Sequence, residues 1–87
     1  MATVVIPSLL RKFTDGAERI AVEGSTVREL VRNLDMRYPG IANQLMDGGD
    51  IKASIAVSID GDIAAGGVLD TVYPDSEVHF LPALGGG

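Results

Sequence analysis

The 87-residue chain has no cysteine and no tryptophan, and its only aromatic residues are two tyrosines and two phenylalanines. Without cysteine it can form no disulfide, no thiolate metal site and no catalytic thiol. A chain of this length forms one small domain with little room for an internal active-site cavity. These absences argue against an elaborate enzyme. Because nothing points to an oxidising compartment, we expect a cytoplasmic protein.

Basic residues and long apolar runs are also scarce. Lys and Arg number 7 against 12 Asp and Glu, a formal net charge of -5, which opposes the phosphate contacts that dominate nucleic-acid affinity. Apolar runs such as Val4–Ile6 fall far short of the roughly 20 residues of a membrane span, and Met1–Val4 does not resemble a secretory signal. We therefore expect no nucleic acid, no membrane and no export, but a protein partner with a basic surface.

The first quarter of the chain predicts a β-hairpin. The β-branched run Thr3–Ile6 is typical of a strand that ends at Pro7, and Ser8–Lys12 leads into a turn at residues 14–17. Glu18–Glu23 alternates with Ile20 and Val22 on one face, so it is predicted to be the second strand.

A helix is predicted to begin at Val27. Thr26 and Glu29 have the spacing of a capping box, in which each side chain accepts a hydrogen bond from a free backbone N–H. The residues that follow form one apolar stripe for packing on a sheet: Val27, Leu30, Val31 and Leu34.

The second half of the chain contains further elements and one stretch that breaks the pattern, at residues 47–50. The predicted elements are a short helix with Ile41 and Leu45 on one face, strands at Ser54–Ile59 and 62–64 joined by a turn at Asp60 and Gly61, and a last strand at Glu77–Leu81 with Val78 and Phe80 inward.

This order of elements predicts an α+β fold in two layers, with one main helix covering a mixed sheet. The β-grasp topology fits it. We expect a β-grasp domain at residues 1–82 and a flexible C-terminal glycine tail at residues 83–87. Proline at 82 blocks ladder pairing, and the three terminal glycines carry no packing side chain.

No catalytic or metal-binding residue is predicted. His79, the single histidine, should face away from the core and has no cysteine to pair with. The aspartates around Gly61 and around 48–49 lack the ligand spacing of a calcium loop, and the glycine pairs match no nucleotide-binding motif.

The C-terminal glycines are the one unusual feature. Without side chains, Gly85, Gly86 and Gly87 could thread a channel too narrow for a Cβ atom and bring the terminal carboxylate to a nucleotide in another protein's site. From glycines alone, a frayed end or a cloning scar is an equally good interpretation.

The ending Leu81–Gly87 resembles that of the ubiquitin-like sulfur carriers, which include the small subunit of molybdopterin synthase and the thiamin sulfur carrier. Gly85 stands where family members commonly have alanine. Together with the ending, three other segments are most similar to the cysteine-forming sulfur carriers of actinobacteria: Val5–Pro7 with Leu9–Arg11, Tyr38–Ile41 and Ile55–Asp60.

The resemblance implies a β-grasp protein that is a co-substrate and not an enzyme. It binds no cofactor itself, and an E1-like adenylating enzyme uses ATP and Mg to activate the Gly87 carboxylate for conversion to a thiocarboxylate. Gly85 and Gly86 would thread the partner's site. The segment before them would lie at the partner's entrance: Leu81, Pro82, Ala83 and Leu84. Leu81 and Leu84 are the candidate apolar anchors, although Leu81 could instead pack on its own sheet.

Several functions remain open at this stage. In the preferred one, cysteine formation, the resemblance implies a sulfur-accepting enzyme of the pyridoxal-phosphate cysteine synthase type and a metalloprotease that releases the product. The closest rival is sulfur transfer to the large subunit of molybdopterin synthase. Two other classes are a ubiquitin-like modifier that forms isopeptide bonds with lysine, and an interaction module whose tail has no role.

Overall fold

A mixed five-stranded sheet forms the frame of the protein. The computed structural model describes residues 1–83. The elements are β1 (Ala2–Val5), a 3₁₀-helix (Ser8–Thr14), β2 (Arg19–Val22), α1 (Val27–Arg37), α2 (Ile41–Leu45), β3 (Met46–Asp47), β4 (Asp50–Ile51), β5 (Ile55–Ile59), β6 (Asp62–Ile63), a second 3₁₀-helix (Gly67–Leu69) and β7 (Glu77–Pro82). Within residues 1–83, none of the helices has both the length and the apolar character needed to cross a membrane.

The last strand lies in the middle of the sheet, whose order is β2-β1-β7-β5-β6. β7 pairs in parallel with β1, with Val4 opposite Val78, and antiparallel with β5, with Val57 opposite Phe80. The predicted mixed sheet and β-grasp topology are therefore confirmed. The core between sheet and helices includes Val4, Ile6, Ile20, Val22, Val27, Leu30, Val31, Leu34, Ile41, Leu45, Val57, Val72, Val78 and Phe80.

Two local predictions were wrong. Ser8–Lys12, expected as a lead into a turn, is the start of the seven-residue 3₁₀-helix, on which Leu10 and Phe13 pack against the core three residues apart. Residues 47–50, expected only to break a helix, form a small hairpin of β3 and β4 around Gly48 and Gly49, both with positive φ. A two-glycine turn suits the twist of such a hairpin.

The start of α1 at Val27 is confirmed, and its cap differs in one bond. The Thr26 hydroxyl accepts the Glu29 N–H at 3.2 Å, as predicted. The Glu29 carboxylate accepts the N–H of Ser25 at 3.0 Å and not that of Thr26, whose backbone forms a β-bridge with Thr71. The capping box is thus shifted by one residue, and it ties α1 to the loop after β2.

Gly24 is required by its close contact with α1. Its φ is 152°, and a Cβ atom there would lie 2.9 Å from the backbone nitrogen of Leu30. We expect Gly24→Ala to lower the free energy of unfolding by about 2–4 kcal/mol, because the helix backbone cannot move aside. The matched control is Gly48→Ala, where φ is 63° with no atom within 4 Å and the loss should be about 1 kcal/mol. Equal losses in urea denaturation would contradict the steric explanation.

The Glu29 cap predicts a pH-dependent stability. Hydrogen bonds from the backbone N–H and the hydroxyl of Ser25 lower the pKa of Glu29 below its ordinary value of 4.5. The ionised carboxylate therefore contributes stability that is fully present above that value and is lost as the pH falls through the lowered pKa. Glu29→Gln should be less stable than the parent at neutral pH, and the difference should vanish on acidification. Urea denaturation across pH checks this, with the exposed Glu23→Gln as control; a difference independent of pH would exclude a role for the charge.

Candidate functional site

The end of β7 determines where the C-terminal tail leaves the domain. The strand does not stop at Leu81, as expected, but continues through Pro82 opposite Ile55, and the Ala83 N–H donates to the Ser54 carbonyl at 3.0 Å. The next ladder bond to β5 falls on Ala83, so the N–H that Pro82 lacks is not needed there. On the other side, pairing with β1 has already ended at His79. A proline is tolerated at such a position.

Alternation along β7 divides its last residues between the two faces of the sheet. Phe80 is buried on the helix-covered face, whereas Leu81 is 39% exposed. Leu81 pairs with Ala56, and the neighbouring pair brings Ile63, 65% exposed, to the same outer face. We call the resulting surface the outer patch: Ala56, Ile63, Leu81, Pro82 and Ala83.

A second apolar depression lies on the other side of the same strand end. We call it the exit groove, and it is lined by Pro7, Leu9, Leu10, Ser54, Ile55, Phe80, Leu81 and Pro82. Leu81 and Pro82 belong to both surfaces. The chain therefore passes residue 83 with apolar surface on two sides. Leu81 is only partly covered by its own sheet, which leaves it available to a partner.

Charged side chains on the outer face lie further back along β7 and are paired with one another. The Glu77 carboxylate is 2.6 Å from His79 Nε2 and accepts a hydrogen bond from Arg19 at 3.2 Å. The contact with His79 is the main cause, and Arg19 the next, of a lowered pKa of Glu77. His79 faces away from the core, as predicted. This cluster leaves the tail end of the strand apolar.

The aspartates of the turns have structural partners. Asp60 has a φ of 52° in the β5–β6 turn, and its carboxylate accepts the Glu77 N–H at 2.8 Å. Asp50 accepts its neighbour's N–H at Ile51. Among residues 1–83, no group of three or more His, Cys, Asp or Glu side chains is placed to hold a metal ion. The chemistry open to this surface is recognition of a partner.

The predicted site residues divide into two groups. The structure brings Leu81, Pro82 and Ala83 together at the tail end of β7. Leu84, Gly85, Gly86 and Gly87 lie outside the described residues. Ile63 and Leu9 were missed. Alternation after the Asp60–Gly61 turn would have placed Ile63 on the outer face, whereas the position of Leu9 depends on a 3₁₀-helix that the sequence did not indicate.

Known proteins match this chain over nearly its whole length. The ThiS family matches residues 4–87. The sulfur carrier protein CysO of Mycobacterium tuberculosis is 33% identical over 90 residues, which cover 98% of this chain and 97% of that protein.

Solved structures agree with these sequence matches. A chain of the Amycolatopsis orientalis BexX/CysO complex has a TM-score of 0.92 at 29% identity, with both chains covered completely. The M. tuberculosis CysO structure has a TM-score of 0.90 at 27% identity, covering 97% of this chain and 100% of that one. The small archaeal modifier protein 1 of Methanosarcina acetivorans, at 22% identity and a TM-score of 0.81 over 99% of this chain and 95% of its own, shares the fold. The resemblance drawn from the tail is thus confirmed, and the chain belongs to the ThiS family of ubiquitin-like sulfur carriers.

Proposed function

We propose that this protein carries sulfur as a thiocarboxylate on Gly87 and supplies it for the synthesis of cysteine. Membership of the ThiS family and the likeness to proteins named CysO support this assignment. The structural observation that carries it is the position of the tail. The chain is held to β5 up to Ala83, between two apolar surfaces, and only four residues follow.

The chemistry takes place in the active sites of partner enzymes. An E1-like enzyme binds ATP and Mg, and a carboxylate oxygen of Gly87 attacks the α-phosphorus, which releases pyrophosphate and leaves an acyl adenylate. The sulfur of a donor then attacks the acyl carbon and AMP departs. The product is a thiocarboxylate in which one carboxylate oxygen has been replaced by sulfur.

The domain's part in this chemistry is presentation. A tail whose last three residues are glycine can enter a channel that no Cβ atom would fit. Binding of the folded domain holds the reactive carbon at high effective concentration, and the enzyme's recessed site excludes water from the adenylate. Leu81 and Ile63 on the outer patch supply apolar contact area for that binding.

The sulfur acceptor we propose is an enzyme of the pyridoxal-phosphate cysteine synthase type. The thiocarboxylate sulfur attacks an amino-acid-derived acceptor held there, and a metalloprotease then releases the product from the carrier. A CysO chain crystallised in complex with BexX supports the general point that such carriers form complexes with other proteins.

The carrier chemistry can be read from the intact mass. After incubation with ATP, Mg, sulfide and the E1-like enzyme encoded in the same genome, the full chain should gain the mass difference between sulfur and oxygen. A variant lacking Gly87 should not, because its terminal carboxylate falls short of the enzyme's nucleotide.

The control is the same enzyme acting on another carrier. No gain in the full chain while that control is modified would sink the proposal. Adducts on lysine side chains, with no thiocarboxylate, would instead identify a protein modifier.

The outer patch is tested by Leu81→Ser. Because Leu81 is partly exposed, the substitution should leave the fold intact, yet it removes an apolar anchor beside the tail. We expect KM for this chain in ATP–pyrophosphate exchange to rise about tenfold. The matched control is Leu69→Ser on the second 3₁₀-helix, 73% exposed and part of neither surface. Equal KM values for the two variants would remove Leu81 from the partner interface.

A further inference from the structure

Leu9 is the most exposed leucine for which the structure gives a value, at 83%. A single exposed leucine needs no explanation, but this one borders a continuous apolar groove. Leu10, Ile55 and Phe80 form the floor and wall of that groove, and Pro82 closes it next to the tail. With a volume of about 200 Å³, it is smaller than the about 300–1,000 Å³ usual for small-molecule sites. It suits the tip of a protein side chain better than a metabolite.

The segment that carries Leu9 is fixed in place. The Arg11 Nε donates to the Ile6 carbonyl at 3.1 Å, and the Arg11 guanidinium lies 3.6 Å from the Glu18 carboxylate. The Thr14 hydroxyl bonds the carbonyls of Arg11 and Ala17 at the other end of the 3₁₀-helix. Leu9 is therefore exposed on a rigid support, which reduces the entropy that a partner must overcome on binding.

The length of the tail brings any enzyme that acts on Gly87 to this groove. Four residues follow Ala83, and even fully extended they reach only about 14 Å. An adenylate must be kept from water, so the enzyme's site is recessed and its rim lies closer to the domain than its reacting atoms. That rim must surround residue 83, which has the outer patch on one side and the exit groove on the other.

We propose that the enzyme that adenylates Gly87 places an apolar side chain of its rim in the exit groove, against Leu9. This inference rests on the proposed function and adds a second contact surface on the opposite side of the strand from Ile63. The tail is then enclosed from both faces of the sheet, so that its direction of entry into the enzyme is fixed.

Leu9→Asp tests the groove, because it puts a charge where an apolar contact is proposed. In ATP–pyrophosphate exchange with the E1-like enzyme of the same genome, KM for this chain should rise about tenfold or more. The rate at saturation should stay unchanged, since Leu9 does not reach the reacting atoms. Leu69→Asp, on the other 3₁₀-helix, is the matched control and should behave as the parent. Leu9→Ser gives a milder form of the same change, and circular dichroism verifies the fold of each variant.

The outcomes separate this inference from the proposed function. If the parent forms the thiocarboxylate and Leu9→Asp has the KM of Leu69→Asp, the groove is not a contact and the carrier function stands. If the parent is not activated, both fail. Self-association of the parent that Leu9→Asp abolishes would assign the groove to a second copy. Methyl signals of Leu9 and Leu10 that shift when residues 84–87 are removed, without enzyme, would assign it to the chain's own tail; either result overturns the inference.

Discussion

The parallel pairing of β1 with β7 is the interaction on which the rest of the structure depends. It joins two antiparallel hairpins that otherwise share no ladder, β1–β2 and β5–β6. Val4 and Val78 face each other at this junction and are fully buried beneath α1. A hairpin alone is marginally stable, whereas five joined strands present a face wide enough for a helix to cover. The same pairing puts the end of β7, and so the tail, at the middle of one end of the sheet.

The fold was predictable where the signal was local. Alternation fixed the inward side of β5 and β7, Asp60–Gly61 marked a tight turn, and Thr26 with Glu29 marked the start of α1. Strand order was not written locally, because the partners of β7 come from opposite ends of the chain. The 3₁₀-helix at Ser8–Thr14 was missed because runs of this length are uncommon and its hydrogen bonds leave no helical periodicity of 3.6 residues.

The site was predictable to a similar extent. Residues 81–83 could be named because they lie between a strand and a glycine tail. Ile63 and Leu9 could not, since each becomes part of the surface through long-range packing: Ile63 through its register with Ser58, and Leu9 through the 3₁₀-helix beside Ile55. Sequence alone located the tail that presents a carboxylate, and the structure located the surfaces that guide it.

The central place of β7 has a consequence for the order of synthesis. Until the ribosome has released this strand, β1 and β5 each expose an unpaired edge, and the nascent chain cannot complete its sheet. The residues that border the tail, Leu81 and Pro82, belong to the same strand. An unfinished chain thus lacks the closed domain and the docking surfaces together, so a partner enzyme meets them only on a completely translated and folded molecule.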